Sequence, residues 1–236
     1  MKTVVSALAL AVLFLPVAVP TLDAQGPRID VGSFTLYVNG QRAGREQFSL
    51  QSMTSADGSA FELRAESAIG DRRSAVRLET DSAGTPVRYA VEERAGAAVA
   101  LRLGGQRIRG RFATLARSTR GEAAREYILS PGAIVLEEEG VHQYAMLVRS
   151  RRMAPGDTLT IPTLTPIENR QGVVRLVLVS PDDTVTIAGS RQPALCWRVL
   201  TTAGEARTVW ADAQGRVLRL RIPARGFEAI RDDVPR

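Results

Sequence analysis

The sequence predicts an all-β protein: a long antiparallel meander curled into a half-barrel, a barrel or a sandwich, with at most short helices. Three observations carry that expectation. Apolar residues alternate with polar ones through most of the chain, turn residues recur roughly every 10 to 12 positions, and no long stretch repeats its apolar residues at 3.6.

The elements follow in order. Phe34-x-Leu36-x-Val38 alternates and runs directly into Asn39-Gly40. That dipeptide favours a tight hairpin, because a type I′ turn needs positive φ at both central residues. Glu46-x-Phe48-x-Leu50 is the returning strand. Phe61 to Ala65, Val76 to Leu78, Val87 to Val91 and Val99 to Leu103 come next, with Ala83-Gly84 and Gly104-Gly105 read as turns. Further strands are expected at Ile108 to Ala113, Tyr127 to Leu129, Ile134 to Leu136 and Tyr144-x-Met146-x-Val148. The last group is Thr158 to Thr163, Val173 to Val179, Thr184 to Ala188, Leu195 to Val199, Thr208 to Asp212 and Val217 to Ile222. Two short helices compete with this pattern. Arg117 to Ile128 holds good helix formers without helical periodicity, and Phe227 to Arg231 fits a single turn.

Alternation implies a sheet dry on one face and wet on the other. Val173 to Val179 is apolar on both and is expected at the covered centre of the sheet. So many strands exceed what an open twisted sheet holds, since sheets beyond about ten strands curl or split. One domain is expected over 25–236, with a possible subdomain seam at 153–157.

Residues 1–24 read as a signal peptide: Lys2, an apolar run through Leu15, and a small-residue cleavage site ending at Ala24. The mature chain is therefore expected in the periplasm or secreted, without a transmembrane span. Cys196 is the single cysteine, so no internal disulfide can form, and a buried small hydrophobe is its expected role. Lys2 is the only lysine, and the net charge is +6. A positive surface rich in arginine favours anionic partners. Membrane headgroups suit that compartment and nucleic acid does not.

Catalytic signals are sparse. His142 is the one histidine, expected as a solvated turn residue, and no G-x-S-x-G, G-x-x-x-x-G-K, G-x-G-x-x-G or C-x-x-C occurs. Glu137-Glu138-Glu139 reads as a solvated hairpin end and Asp182-Asp183 as a turn. The expectation is a non-enzymatic protein with no metal and no cofactor.

Two constellations remain as ligand-binding candidates. Arg107, Arg109 and Arg111 sit at i, i+2 and i+4, which would place them together on one face of a strand. Like charges at that spacing are tolerable when solvated, paired or matched by an anion. Phe48, Phe61, Phe112, Trp197 and Trp210 fall on strand positions. They serve as core, or as the lining of a concave sheet that encloses an acyl chain.

The opening Gly32-Ser33-Phe34-Thr35-Leu36-Tyr37-Val38-Asn39-Gly40-Gln41-Arg42-Ala43-Gly44 and the close Trp210-Ala211-Asp212-Ala213-Gln214-Gly215-Arg216-Val217-Leu218-Arg219-Leu220 resemble the ends of uncharacterised exported β-rich bacterial proteins. Such chains are loosely similar in architecture to lipoprotein-carrier-type periplasmic half-barrels. The resemblance implies a non-catalytic binding or carrier module for a lipid-like or amphipathic anionic ligand. The alternative is a structural or interaction protein of the cell envelope that docks a protein partner.

Overall fold

The structure, a computed structural model, describes residues 25–138, 140–149 and 151–236. The signal peptide expected over 1–24 and Glu139 of the acidic run lie outside the described residues. The strands form one 15-stranded curled sheet.

The first eight are successive hairpins: β1 (Gln25–Val38), β2 (Gln41–Met53), β3 (Phe61–Ile69), β4 (Arg72–Thr80), β5 (Pro86–Ala95), β6 (Ala98–Ile108), β7 (Arg111–Ser118) and β8 (Gly121–Ile128). The chain then crosses to the opposite edge through the short β9 (Ile134–Val135). It returns through β10 (Thr158–Thr165), β11 (Arg170–Ile187), β12 (Ser190–Thr201), β13 (Ala206–Ala211), β14 (Val217–Ile222) and β15 (Phe227–Arg231). β15 pairs with β1, so both ends of the described chain meet in the middle of the sheet, and β8 and β9 are its edges. Among the described residues only β9 and β10 pair in parallel.

The crossing segment fills the inside of the curl. After β9 it makes a 3₁₀ turn (Val141–Gln143) and a short helix, α1 (Tyr144–Val148), in which all eight residues are buried. Val141, Tyr144, Leu147 and Val148 pack with Phe34, Trp197, Leu220 and other inward side chains of β1, β2 and β11 to β15. Met146 packs on the other half of the interior, with Leu63, Leu78, Leu103 and Phe112. Tyr144-x-Met146-x-Val148, expected as a strand, is therefore helical. A strand buried alone inside the curl would leave its amides unpaired, whereas a helix pairs its own.

The N-terminus of this plug is held by Glu46 of β2. Its buried carboxylate accepts the amide N–H of Val141 at 3.2 Å and of His142 at 2.8 Å. Arg207 donates to the Tyr144 hydroxyl at 2.6 Å, and Arg151 donates to the Leu147 carbonyl at 3.1 Å. Each anchor satisfies a polar group that the interior would otherwise strand.

Other expectations change as well. Ile108 to Ala113 is two strands with a turn between them at Arg109-Gly110, where φ is 50° and 80°. Gly104 and Gly105 lie within β6 rather than at a turn. Gly105 faces inward, where a Cβ would come within 2.6 Å of the Phe112 ring, so the glycine makes room for that ring. Phe227 to Arg231 is β15, and Glu122 to Arg125 belongs to β8. Val173 to Val179 and Thr184 to Ile187 are one bulged strand, β11, near an edge, with Val173 and Val179 exposed instead of covered. Strands on both sides of 153–157 join the same sheet.

If Glu46 holds the plug, Glu46→Ala strands two amides in the interior and lowers the unfolding free energy by about 3 kcal/mol. Glu66→Ala, at an exposed position one strand away, changes it by less than about 0.5 kcal/mol. Urea denaturation of both variants checks this, and equal effects would contradict the anchoring role.

Candidate functional site

The three arginines expected on one strand face do not share one. Arg107 points inward from β6 and pairs with Asp81 at 2.8 Å. Arg109 occupies the turn in the left-handed region, and Arg111 opens β7 on the outer face, 3.5 Å from Glu126. A turn at Arg109-Gly110 breaks the alternation that the i, i+2, i+4 spacing assumed.

The aromatic candidates do not line a hollow. Phe112 and Trp197 are fully enclosed in the core. Phe48 is buried too, stacked on Phe34 with ring centroids 5.1 Å apart and lying under the Arg231 guanidinium. Phe61 is covered by Arg149 at 4.9 Å. Trp210 is held by its Nε1–H, which donates to Asp183 at 2.8 Å, and by Arg219 over its ring. Asp183 thus works within the β11 bulge, not in a free turn. Cys196 is buried as expected. With the plug in place, these aromatic side chains pack against neighbours in the core.

A concavity instead runs over the outer face of β3 to β7, as a groove of about 830 Å³. Small residues make its floor. Ala75, Ala90 and Gly104 lie close together across β4, β5 and β6, and Leu115 pairs with Gly104 from β7. A Cβ added to Gly104 would meet nothing within 4 Å, which shows how open the floor is. A second concavity of about 490 Å³ shares Ala90, Gly104 and Leu115 and extends it toward Arg88 and Gln106.

Arginines form most of the charged wall, with Glu66 and Glu92 beside them. Register sets Arg64 opposite Arg77, and Arg102 opposite Arg117. Directly opposed like charges disfavour pairing, and carboxylates between them relieve it. Glu62 accepts from Arg64 at 2.9 Å and lies 2.6 Å from Arg77, while Glu92 accepts from Arg102 at 2.7 Å and Glu122 accepts from Arg117 at 2.8 Å. Burial alone would raise the Glu62 carboxyl, but Arg64 and Arg77 together hold it below the usual range. The four guanidiniums are about half exposed, but their partners differ: Glu92 and Glu122 reach water, and surface ion pairs of that kind contribute only about 0 to 1 kcal/mol each, whereas Glu62 is buried. Turning Arg102 or Arg117 toward a bound anion therefore costs little.

Sequence reading missed this wall. The period-two pattern marks Arg64, Arg77 and Arg117 as outward-facing, but only strand register brings them together.

A second, smaller cavity of about 290 Å³ lies inside the curl, between the plug and the inward faces of β2 to β5. His142 lines it and is 3 % exposed, in contrast to the solvated turn expected. Its Nδ1 is 3.1 Å from Glu46 Oε1, off the line of a hydrogen bond, and its Nε2 has no partner. Glu137, expected in a solvated hairpin, is also buried. It accepts from the Tyr89 hydroxyl at 3.2 Å and the Ile167 amide at 3.1 Å. Burial, with lesser repulsion from Glu168 and Glu93, pushes its carboxyl up to about 8. Glu138 instead ion-pairs with Arg225. Among the described residues no cluster of His, Cys, Asp and Glu has the arrangement of a metal site.

No family model matches the chain, and no curated protein matches it. Solved structures do align with it. A β-barrel-like protein of a domain of unknown function, DUF1849, from Brucella abortus aligns with TM-score 0.52 and 8% identity, covering 89% of this chain and 98% of its own. A DUF1089 family protein from Pseudomonas aeruginosa aligns at TM-score 0.47 and 12% identity, over 76% of this chain and 90% of its own. The first likeness supports a barrel-like architecture for this chain. Neither protein is named as a lipoprotein carrier.

Glu137 gives the cavity a distinctive pH response. Its folded-state pKa of about 8 lies above the ordinary 4.5. The stability it contributes is thus fully present below about pH 4.5 and is lost as pH rises through about 8. Glu137→Gln mimics the protonated acid, so it should match the parent at pH 4.5 and exceed it at pH 9 by a few kcal/mol. Denaturation midpoints at both pH values measure this, and a pH-independent difference would contradict it.

Proposed function

We propose that this chain is a non-catalytic binding module of the bacterial cell envelope, working in the periplasm or outside the cell, and that it takes a lipid-like anionic ligand on its outer face. The observation that carries the reading is the groove over β3 to β7, where an apolar floor of small residues lies between two facing pairs of arginines. An alkyl chain would cover Ala75, Ala90, Gly104 and Leu115, a contact that stabilises by about 25 cal/mol per Å² removed from water. The anionic head would meet guanidiniums, whose forked geometry suits phosphate and carboxylate.

This places the ligand outside the sheet rather than within its curl, because α1 and its flanks already fill the apolar interior. The module is proposed to need no cofactor. Docking of a protein partner along the free edge β8 has less support. That strand carries Glu122, Arg125 and Glu126, and charges on an edge strand discourage strand addition.

Dodecyl phosphate below its micelle concentration is a suitable probe. The wild-type chain should bind it, and Arg64→Ser/Arg77→Ser or Arg102→Ser/Arg117→Ser should weaken binding at least about tenfold, a change of about 1.4 kcal/mol. Gly104→Leu, which fills open space, should block it. Arg107→Ser and Arg111→Ser should leave it unchanged. Titration calorimetry reads all five variants, and binding that survives Gly104→Leu would refute the groove.

A further inference from the structure

The inner cavity is built differently from the outer groove, and its chemistry does not depend on what the groove binds. Three arginines, Arg72, Arg73 and Arg94, line it from β4 and β5. The remaining wall is acidic, with Glu46 from β2, Glu93 from β5, Glu137 and Glu138 from the crossing segment, and Glu168 from the turn between β10 and β11. Three of these carboxylates have partners of their own. Glu46 caps the plug, Glu138 pairs with Arg225 and lies 3.7 Å from Arg170, and Glu168 pairs with Arg170 at 2.7 Å.

Glu93 and Glu137 make no such pair with the described residues, although arginines line the same cavity. Among the described residues, Glu93 has no ion-pair partner within 4 Å, and Glu137 accepts only from a phenol and an amide. Their repulsion adds to burial in lifting the Glu137 carboxyl.

The side chain of His142 provides an independent sign of a missing ligand. It lies against the same cavity, almost wholly buried, with Nε2 unpartnered. The Glu46 carboxylate beside Nδ1 favours the tautomer with its proton on Nδ1. Nε2 then carries a lone pair, an acceptor that a buried site rarely leaves unused. Next to it, Gln143 uses its Oε1 to accept the Glu137 amide at 2.5 Å and leaves its Nε2 donor without a partner. Two carboxylates and an imidazole lone pair accept from N–H groups, and one amide donates to an oxygen.

We propose that the inner cavity binds a small organic ammonium compound, with the cation between Glu93 and Glu137, an N–H donated to His142 Nε2, and any ligand oxygen facing Gln143. The volume of about 290 Å³ admits a small organic ammonium ion with water beside it. Glu137 is protonated near neutral pH in the empty cavity, and an ammonium group beside it favours the carboxylate. Binding therefore releases a proton, and proton release distinguishes this site from a water-filled gap.

Ethanolamine and 1,4-diaminobutane are the probes, titrated into the full mature chain at pH 7 by calorimetry in two buffers of different ionisation enthalpy. The expected result is one ligand per chain with release of about one proton. Glu93→Gln, at a half-buried position, should weaken binding at least tenfold. Glu137→Gln should abolish the proton release, with circular dichroism verifying that it folds, while Glu66→Gln should leave both unchanged. Failure of both amines to bind overturns the proposal, as does binding that Glu93→Gln does not weaken. Tight binding of calcium in place of the amines would overturn it in favour of a metal site. Dodecyl phosphate binding in the outer groove is read separately, so loss of one site does not mimic loss of the other.

Discussion

A sheet that curls until its edges approach must fill its inside, and here the chain uses its own crossing segment to do so. That segment enters dry surroundings with peptide groups that need partners. The Glu46 carboxylate meets this need at the N-terminal end, taking the Val141 and His142 amides, and α1 pairs its own backbone beyond them. An unpaired buried amide costs roughly 1 to 3 kcal/mol. The position of one carboxylate on β2 therefore governs whether the plug sits inside. With it in place, Phe34, Trp197 and Leu220 find apolar neighbours, and the interior is a packed core.

The same packing divides the charged residues into two populations. Outside, the half-exposed Arg102 and Arg117 pair with carboxylates in reach of water, where such contacts are weak and exchangeable, while Arg64 and Arg77 share the buried Glu62. Inside, carboxyls meet low polarity and each other, so Glu137 stays protonated well above the ordinary range for glutamate. Arg231 represents the well-paired case, with both terminal nitrogens bonded and only its Nε left without a partner. It is buried at the middle of the sheet, gives Asp30 two hydrogen bonds at 2.9 and 2.7 Å, and fits beside Gly32, where a Cβ would come within 2.7 Å of its guanidinium. Matched charges lock the pairing of β1 with β15, while unmatched ones mark the places where something else can bind.

Much of the fold was legible in the sequence, because period-two alternation and Asn39-Gly40 depend on local chemistry alone. The all-β class and the inward roles of Phe34, Leu36, Phe48 and Leu50 followed directly. What failed was whatever depended on distant partners. Tyr144 to Val148 alternates like a strand, and only its burial on every side makes it a helix. Gly104-Gly105 looks like a turn, yet Gly105 is there for the Phe112 ring, and the turn falls five residues later at Arg109-Gly110. His142 looked exposed because it lies near Gly140, just before an apolar stretch, and nothing local announces a glutamate 96 residues away. The outer arginine wall was hidden for the same reason, since each of its members sits on a different strand and register alone aligns them.

Amide hydrogen exchange tests the central element, the buried plug, most directly. Amides of Val141, His142 and the C-terminal residues of α1 should exchange as slowly as those of β1 and β15, because releasing them requires opening the sheet. Exchange of the 141–148 segment at the rate of exposed turns such as Asn39-Gly40, with β1 and β15 still protected, would mean that the segment leaves the interior freely. The curl would then be hollow, and the account of a filled barrel binding on its outer face would be wrong.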